Sequence, residues 1–343
     1  MEGFQMAAGT ITDSELTIFL EHRRLLFSVA YRMMGSATDA EDIVQESYLR
    51  WRKASSNQKI RDAKSLLVSI TTRLCIDEWK KARRKREVYI GPFLPEPVPT
   101  AMLHSELHDD RIDHAFLLLL EQLKPVERAI FVLKEAFDYS YAEIAGIVQK
   151  SEAACRQIFS RARRSIDVNK APVSITRTQE LLLQRYLTAL STADAKLLLS
   201  VIAEDAQIHS DGGGVAGAAR RVVHGRIPVA ALLLGVTRKG GSGEVYTASV
   251  NGMPAIVIYR DGKPVLVQCL AMDAQIRTLF GILNPGKLAA FKDRERLIRE
   301  GVLSPVRFTI VMQLRWLWNR WIGRHFTVPM LRRLETETSY SRS

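Results

Sequence analysis

The sequence predicts a multidomain chain: two all-α modules, then an α+β domain, then a helical tail. Three observations carry that prediction. Apolar residues recur at three- and four-residue spacing through most of the first half of the chain. Four prolines fall between Pro92 and Pro99, where no helix interior is possible. After about Thr176 the pattern shifts to short alternating runs rich in β-branched residues.

The first module spans 14–88. Thr12, Asp13 and Ser14 offer N-caps to a helix with Leu16, Phe19, Leu20, Leu25, Leu26, Val29 and Met33 facing inward. Gly35 and Ser36 break it. A second helix from about Thr38 turns Ile43, Val44, Tyr48, Leu49 and Trp51 to one face. After a polar loop at 55–59, a third helix from about Asp62 holds Leu66, Leu67, Ile70, Leu74, Ile76 and Trp79. It ends in the basic run 80–86.

The proline segment, 89–106, reads as an extended, semi-rigid linker. The second module, 107–170, is helical with breaks at Lys124-Pro125 and at 138–140. The α+β domain, 176–291, opens with helices at 179–190 and 193–202. Strands follow at 244–250 and 255–259, and Asp261-Gly262 marks a hairpin into 264–268. Leading helices and later strands suggest a curved sheet. In the tail, 292–343, Ile310, Val311, Leu314, Leu317, Trp318, Trp321 and Ile322 form one face of a basic amphipathic helix. Docking of that helix on a protein groove is favoured over contact with a membrane surface.

A net charge of +12 over 343 residues favours polyanionic partners. Cys75, Cys155 and Cys269 lie far apart and form no metal-ligand spacing, so three reduced core thiols are expected, with no cofactor or metal. The first fifteen residues have neither a basic nor an apolar export region, and no 18-residue uncharged apolar run occurs. A cytoplasmic, nucleoid-associated protein is expected.

The strongest local signal is a helix-turn-helix at 139–164. Ala142, Ile144, Ala145 and Val148 mark its first helix, and Ser151 caps the second. There Ala154, Cys155, Ile158, Phe159 and Ala162 face inward, while Glu152, Arg156, Gln157, Ser160, Arg161 and Arg163 face outward. Polar and arginine side chains on such a face suit base edges and phosphates in a major groove. Asp39, Asp42 and Glu46 share one helix face beside Gln45, where like charges repel unless a cationic partner meets them. Arg73, Lys80, Arg83 and Arg84 offer the opposite charge, suited to DNA phosphates.

These motifs resemble a known family. The segment 30–46 is similar to conserved region two of extracytoplasmic-function sigma factors, and 139–164 to their region four. The segments 72–77, 91–97, 138–145, 210–214 and 284–288 resemble the subgroup that carries a SnoaL-like C-terminal extension, a cone-shaped α+β fold. The resemblance covers about residues 14 to 291. It implies RNA polymerase core as partner, through the clamp coiled-coil of the largest subunit and the flap of the second largest. Asp39, Asp42, Gln45 and Glu46 would meet the clamp. Asn57, Arg61, Arg73, Trp79, Lys80, Arg83 and Arg84 would serve the −10 element of promoter DNA, although a core role suits Trp79 better than base stacking. Ser151, Glu152, Arg156, Gln157, Ser160, Arg161 and Arg163 would serve the −35 element.

The resemblance also implies that the extension regulates the factor through intramolecular contact with the sigma modules. Asp211, Gly212, Gly213, Gly214, Asn284 and Pro285 would be the interface. Two departures stand out: Val215 where lysine is usual, and Gly286 where aspartate is usual. Two other functions compete with a sigma factor: a stand-alone helix-turn-helix regulator, and a SnoaL-like isomerase or hydrolase fused to a DNA-binding module. The second would draw on Asp205, His209, Asp211 and His224 as acid-base groups. Fold likeness alone transfers no activity, and no enzymatic role is expected.

Overall fold

The computed structural model describes residues 13–55, 60, 62–86, 89–103, 114–121, 123–165, 177–239 and 243–306. The expected face of the tail helix, 310–322, lies outside them. Three helices come first: α1 (Asp13–Met34), α2 (Ala37–Ser55) and α3 (Ala63–Arg86). Gly35, at φ 68°, ends α1 where the break is expected, and the Ser36 hydroxyl accepts from the Asp39 N–H to start α2. Asp62 caps α3 through the Ser65 N–H at 3.0 Å. The linker then carries α4 (Thr100–Leu103), a short turn that the sequence reading lacks. Beyond it come α5 (His114–Leu120), α6 (Pro125–Glu135), α7 (Tyr141–Val148) and α8 (Glu152–Ser165).

The chain divides into two compact units. The first gathers α1–α3 with α6–α8. Its core includes Leu26, Val29, Met33, Val44, Trp51, Leu67, Ile130, Phe131 and Phe159. A buried hydrogen bond of 2.9 Å between Ser47 and Thr71 ties α2 to α3. Leu20 and Leu49 do not join this core, contrary to the expected faces: they are 54% and 52% exposed. Ser47 is buried, and Leu49, two residues on, points to the opposite side of the helix. All three cysteines of the chain are free and buried.

The second unit gathers the linker, α4, α5 and the later chain. Helices α9 (Arg177–Thr192) and α10 (Ala195–Val201) lead into β1 (Ile202–Asp211) and β2 (Val223–His224). Then follow α11 (Arg226–Lys239), β3 (Glu244–Val250), β4 (Met253–Arg260), β5 (Lys263–Met272), β6 (Ile276–Ile282), α12 (Arg294–Arg299) and β7 (Ser304–Pro305). The strands form one sheet in the order β2-β1-β6-β5-β4-β3-β7. Asp261 and Gly262, both at positive φ, turn β4 into β5 as the hairpin signal predicts.

Two apolar clusters share this unit. One packs Leu182, Tyr186, Leu198 and Leu234 of α9–α11 against Ile256, Leu270 and Leu279 of the sheet. The other gathers Val257, Val267 and Phe280 of the sheet with Leu94 of the linker and Phe291, Leu297 and Leu303. The described start of the expected tail, 292–306, therefore packs with the sheet domain. No described helix is long and apolar enough to cross a membrane.

Candidate functional site

The sheet topology assembles a polar cluster at one end of β1. Parallel pairing sets Asp211 beside Ile282 at the ends of β1 and β6. The N–H groups of Leu283 and Asn284 both donate to the Asp211 carbonyl, at 2.7 and 3.0 Å. Asn284 then caps a 3-10 turn, Pro285–Lys287, by accepting from the Gly286 N–H. With its φ already set for that turn, Pro285 helps bring Lys287 back toward Asp211.

The linker is the third wall of this cluster. Asp211 Oδ1 accepts from the Tyr89 hydroxyl at 2.5 Å and the Gly213 N–H at 3.0 Å. Oδ2 accepts from the Leu94 N–H at 3.0 Å and from Lys287 Nζ at 2.8 Å. Lys287 also donates to the Leu94 carbonyl at 2.5 Å, and its Nζ stands 3.3 Å from the centre of the Phe93 ring. Asn284 donates to the Tyr89 hydroxyl at 2.9 Å. Burial, then the hydrogen bond to Asp211, raises the Tyr89 pKa above the usual phenol value, so the hydroxyl stays a donor. Further along, Asn251 brackets Val98 with hydrogen bonds of 3.0 and 2.9 Å.

The glycines answer to close approach. A Cβ on Gly212 would overlap the Ala216 carbonyl oxygen and stand 2.9 Å from the Ala218 Cβ. On Gly213, at φ 61°, it would overlap the Asn284 side chain, while Gly214 abuts Ile90. The expected interface residues Asp211 to Gly214, Asn284 and Pro285 are thus brought together, and Asp211, Gly214 and Asn284 meet the linker. The reading of single residues left out Tyr89, Lys287 and Asn251. Lys287 lies in the segment 284–288 that resembles the subgroup, and a lone lysine among apolar neighbours is the signal the sequence offers. Neither departure touches the cluster through a side chain: Val215 is 81% exposed, and Gly286 supplies only its N–H.

The acid-base candidates are dispersed. All the polar capacity of Asp211 described above goes to structural donors. Asp205 pairs with Arg277 at 3.2 Å on the surface. His209 lies against Phe280, and burial followed by repulsion from His224 lowers its pKa. Arg226 donates to the Ile202 carbonyl. Among the described residues no His, Cys, Asp or Glu cluster fits a metal ion.

In the first unit the helix-turn-helix forms as read. Ser140 and Glu143 make a reciprocal capping box on α7, and Gln149 in the left-handed region turns the chain. Ser151 caps α8 through the Ala154 N–H. Cys155, Phe159 and Ala162 are buried, and Glu152, Arg156, Gln157, Ser160, Arg161 and Arg163 are exposed. Arg156 lies over the Tyr141 ring, 4.9 Å from its centre, and Arg161 reaches Glu127 at 2.6 Å.

On α2, Asp42 and Gln45 are exposed, with Asp39 and Glu46 half-buried. Glu46 pairs with Arg50 at 2.9 Å, while Asp39 and Asp42 have no ion-pair partner among the described residues. Asn57 and Arg61 lie outside the described residues, as do the side chains of Arg83 and Arg84. Lys80 is exposed, pairing with Asp77. Trp79 is 6% exposed and belongs to the core, which leaves no ring face for a base. Arg73 is committed to protein: Nε donates to the Ile147 carbonyl and Nη2 to the Gly146 carbonyl, both at 3.0 Å.

Comparison with known proteins fits both helical modules. The Sigma-70 region 2 family matches residues 18–85, and the Sigma-70 region 4 family matches 113–166. The chain is 32% identical over 303 residues to the ECF RNA polymerase sigma factor SigJ of Mycobacterium tuberculosis, covering 82% of this chain and 96% of that one. It is 34% identical over 187 residues to the probable ECF RNA polymerase sigma factor SigI of the same species, covering 53% of this chain and 64% of the relative. The crystal structure of M. tuberculosis SigJ superposes with a TM-score of 0.65 at 31% identity, covering 80% of this chain and 98% of that one. Two DNA-binding helical modules joined by a linker define a sigma-70-type initiation factor. This chain belongs to the extracytoplasmic-function sigma factors of RNA polymerase.

Proposed function

We propose that the sheet domain regulates this sigma factor by holding its linker. The observation that carries the reading is Asp211, buried and accepting from Tyr89, Leu94, Gly213 and Lys287 at once. In promoter recognition the two modules bind elements roughly 25 base pairs apart, about 85 Å along B-form DNA. The segment 87–113 spans about 90 Å only when fully extended. Pinning part of it on the sheet shortens that reach, so release of the linker favours initiation.

In this reading α2 meets the polymerase clamp through Asp39, Asp42, Gln45 and Glu46, and region four also meets the flap. Asn57, Arg61, Lys80, Arg83 and Arg84 serve the −10 element, joined by Arg73 once it leaves α7. Glu152, Arg156, Gln157, Ser160, Arg161 and Arg163 serve the −35 element, with Ser151 setting the start of their helix. The factor works in the cytoplasm at the nucleoid and performs no catalysis of its own. Engagement of Asp211 with the linker supports a regulatory domain over an isomerase.

Transcription reconstituted with purified core polymerase tests both parts. Charge reversal of Asp42 and Glu46 to lysine abolishes holoenzyme assembly and promoter-directed transcript. Asp211→Ala raises promoter output several-fold over the unaltered chain. Equal output from Asp211→Ala and the parent chain removes the regulatory reading. Intact assembly after charge reversal removes the clamp assignment.

A further inference from the structure

The first unit contains a reciprocal exchange of helix caps. Each helix leaves carbonyls in its last turn without an intrahelical donor, and partial negative charge collects there. At the end of α7 two of these, on Gly146 and Ile147, accept from Arg73 of α3. At the end of α1, the Arg32 carbonyl accepts from Arg128 Nε of α6 at 3.1 Å. Arg128 is fully buried. One arginine of region two thus caps a helix of region four, and one arginine of region four caps a helix of region two. Both contacts join segments far apart in the chain, and both are charge-assisted.

We infer that Arg73 and Arg128 form a clasp that holds the free factor closed, and that promoter DNA and core polymerase open it by taking Arg73 from α7. Arg73 is the only expected −10 contact that the described residues show bound to backbone carbonyls of region four. These two bonds occupy the Nε/Nη2 edge of the guanidinium, the edge that would grip a phosphate side-on with two parallel hydrogen bonds. While it caps α7, α3 and α7 stay within hydrogen-bond reach, and the modules cannot sit on elements some 85 Å apart. Closure of the unbound protein and engagement of both promoter elements therefore exclude one another through the distance between α3 and α7. The inference rests on the sigma-factor reading but not on the role given to Asp211, since the clasp lies wholly within the first unit.

The test uses the full chain with spin labels at Glu21→Cys on α1 and Ala142→Cys on α7. Both positions are exposed, and the native cysteines are buried. Pulsed dipolar spectroscopy without DNA or polymerase reads the distance between the modules. The parent chain gives one short distance. Arg73→Ala raises the ratio of long to short distances by about tenfold or more, the scale of a lost charge-assisted pair. Arg73→Lys, which keeps the charge but not the fork, falls between them. With no DNA present, a lost phosphate contact cannot produce this change.

An unchanged distance distribution in Arg73→Ala overturns the clasp. Hydrogen exchange on the unsubstituted chain provides a measurement free of any folding defect. Amides 146–150 exchange faster once core polymerase is added, and equal protection with and without core also overturns it. Promoter-directed transcription by the unlabelled parent chain separately tests the sigma-factor reading.

Discussion

Asp211 keeps a negative charge out of water because donors converge on both of its oxygens. Its ion pair with Lys287 is 2.8 Å long, with the two side chains 0% and 9% exposed. Such a pair adds little over a matched apolar pair, but removing one member strands the other charge. Asp211→Ala should therefore cost about 3–5 kcal/mol in the sheet domain. Thermal unfolding reads that loss, and limited proteolysis should show faster cleavage at 89–99 as the linker comes free. Protection of the linker equal to that of the parent chain would show that the carboxylate does not hold it. The sequence made Asp211 visible through its three following glycines, which marked a tight turn. It did not show what the turn was tight against, because the Asn284 side chain arrives from the far end of β6.

At the scale of elements, α7 and α8 are defined by short-range chemistry. Ser140 and Glu143 cap each other across three residues, with the Glu143 carboxylate 2.7 Å from the Ser140 N–H and 2.6 Å from its hydroxyl. These bonds lower the Glu143 pKa, the Ser140 side chain contributing most. A depressed carboxylate contributes stability above its unfolded pKa, and that contribution is lost as pH falls through the folded value. Ser140→Ala should cost about 1 kcal/mol, read by denaturant unfolding, and should return Glu143 toward the ordinary glutamate range in an NMR titration. An unmoved Glu143 would mean that the box is not formed in solution. This chemistry was legible in the residues, as was the Asp261-Gly262 turn. Helix α11 was not: its run Val229 to Val236 is apolar on nearly every side, so periodicity cannot separate a helix from a buried strand.

For the whole molecule, the sheet is covered on both faces: by α9–α11 on one, by the linker and 288–303 on the other. A chain ending at Leu288 loses Phe291, Leu297, Leu303 and strand β7, so the second cluster is opened as well as shortened. That truncation should lower the thermal midpoint of the sheet domain and increase binding of an apolar dye. A chain ending at Val306 should show the higher midpoint and the weaker dye binding of the two truncations. Equal behaviour of the two truncations would show that 289–306 contributes nothing to the core. The boundary expected at 291 followed a change of texture in the sequence, but burial of Leu297 and Leu303 depends on strands formed far earlier in the chain.

Local spacing along the chain is enough to define the helical modules, the helix-turn-helix with its outward face, the proline linker and the hairpin of the sheet domain. Each of these rests on periodicity, capping or turn residues a few positions apart, where spacing alone decides which side chains meet. It took the packing of the fold to show that Asp211 meets Lys287 and Tyr89, that Arg73 caps α7 and that Leu49 is not core. Those outcomes depend on contacts across tens to hundreds of residues. Which long-range partner a side chain finds is settled by how sheet and helices pack, and no local pattern encodes it.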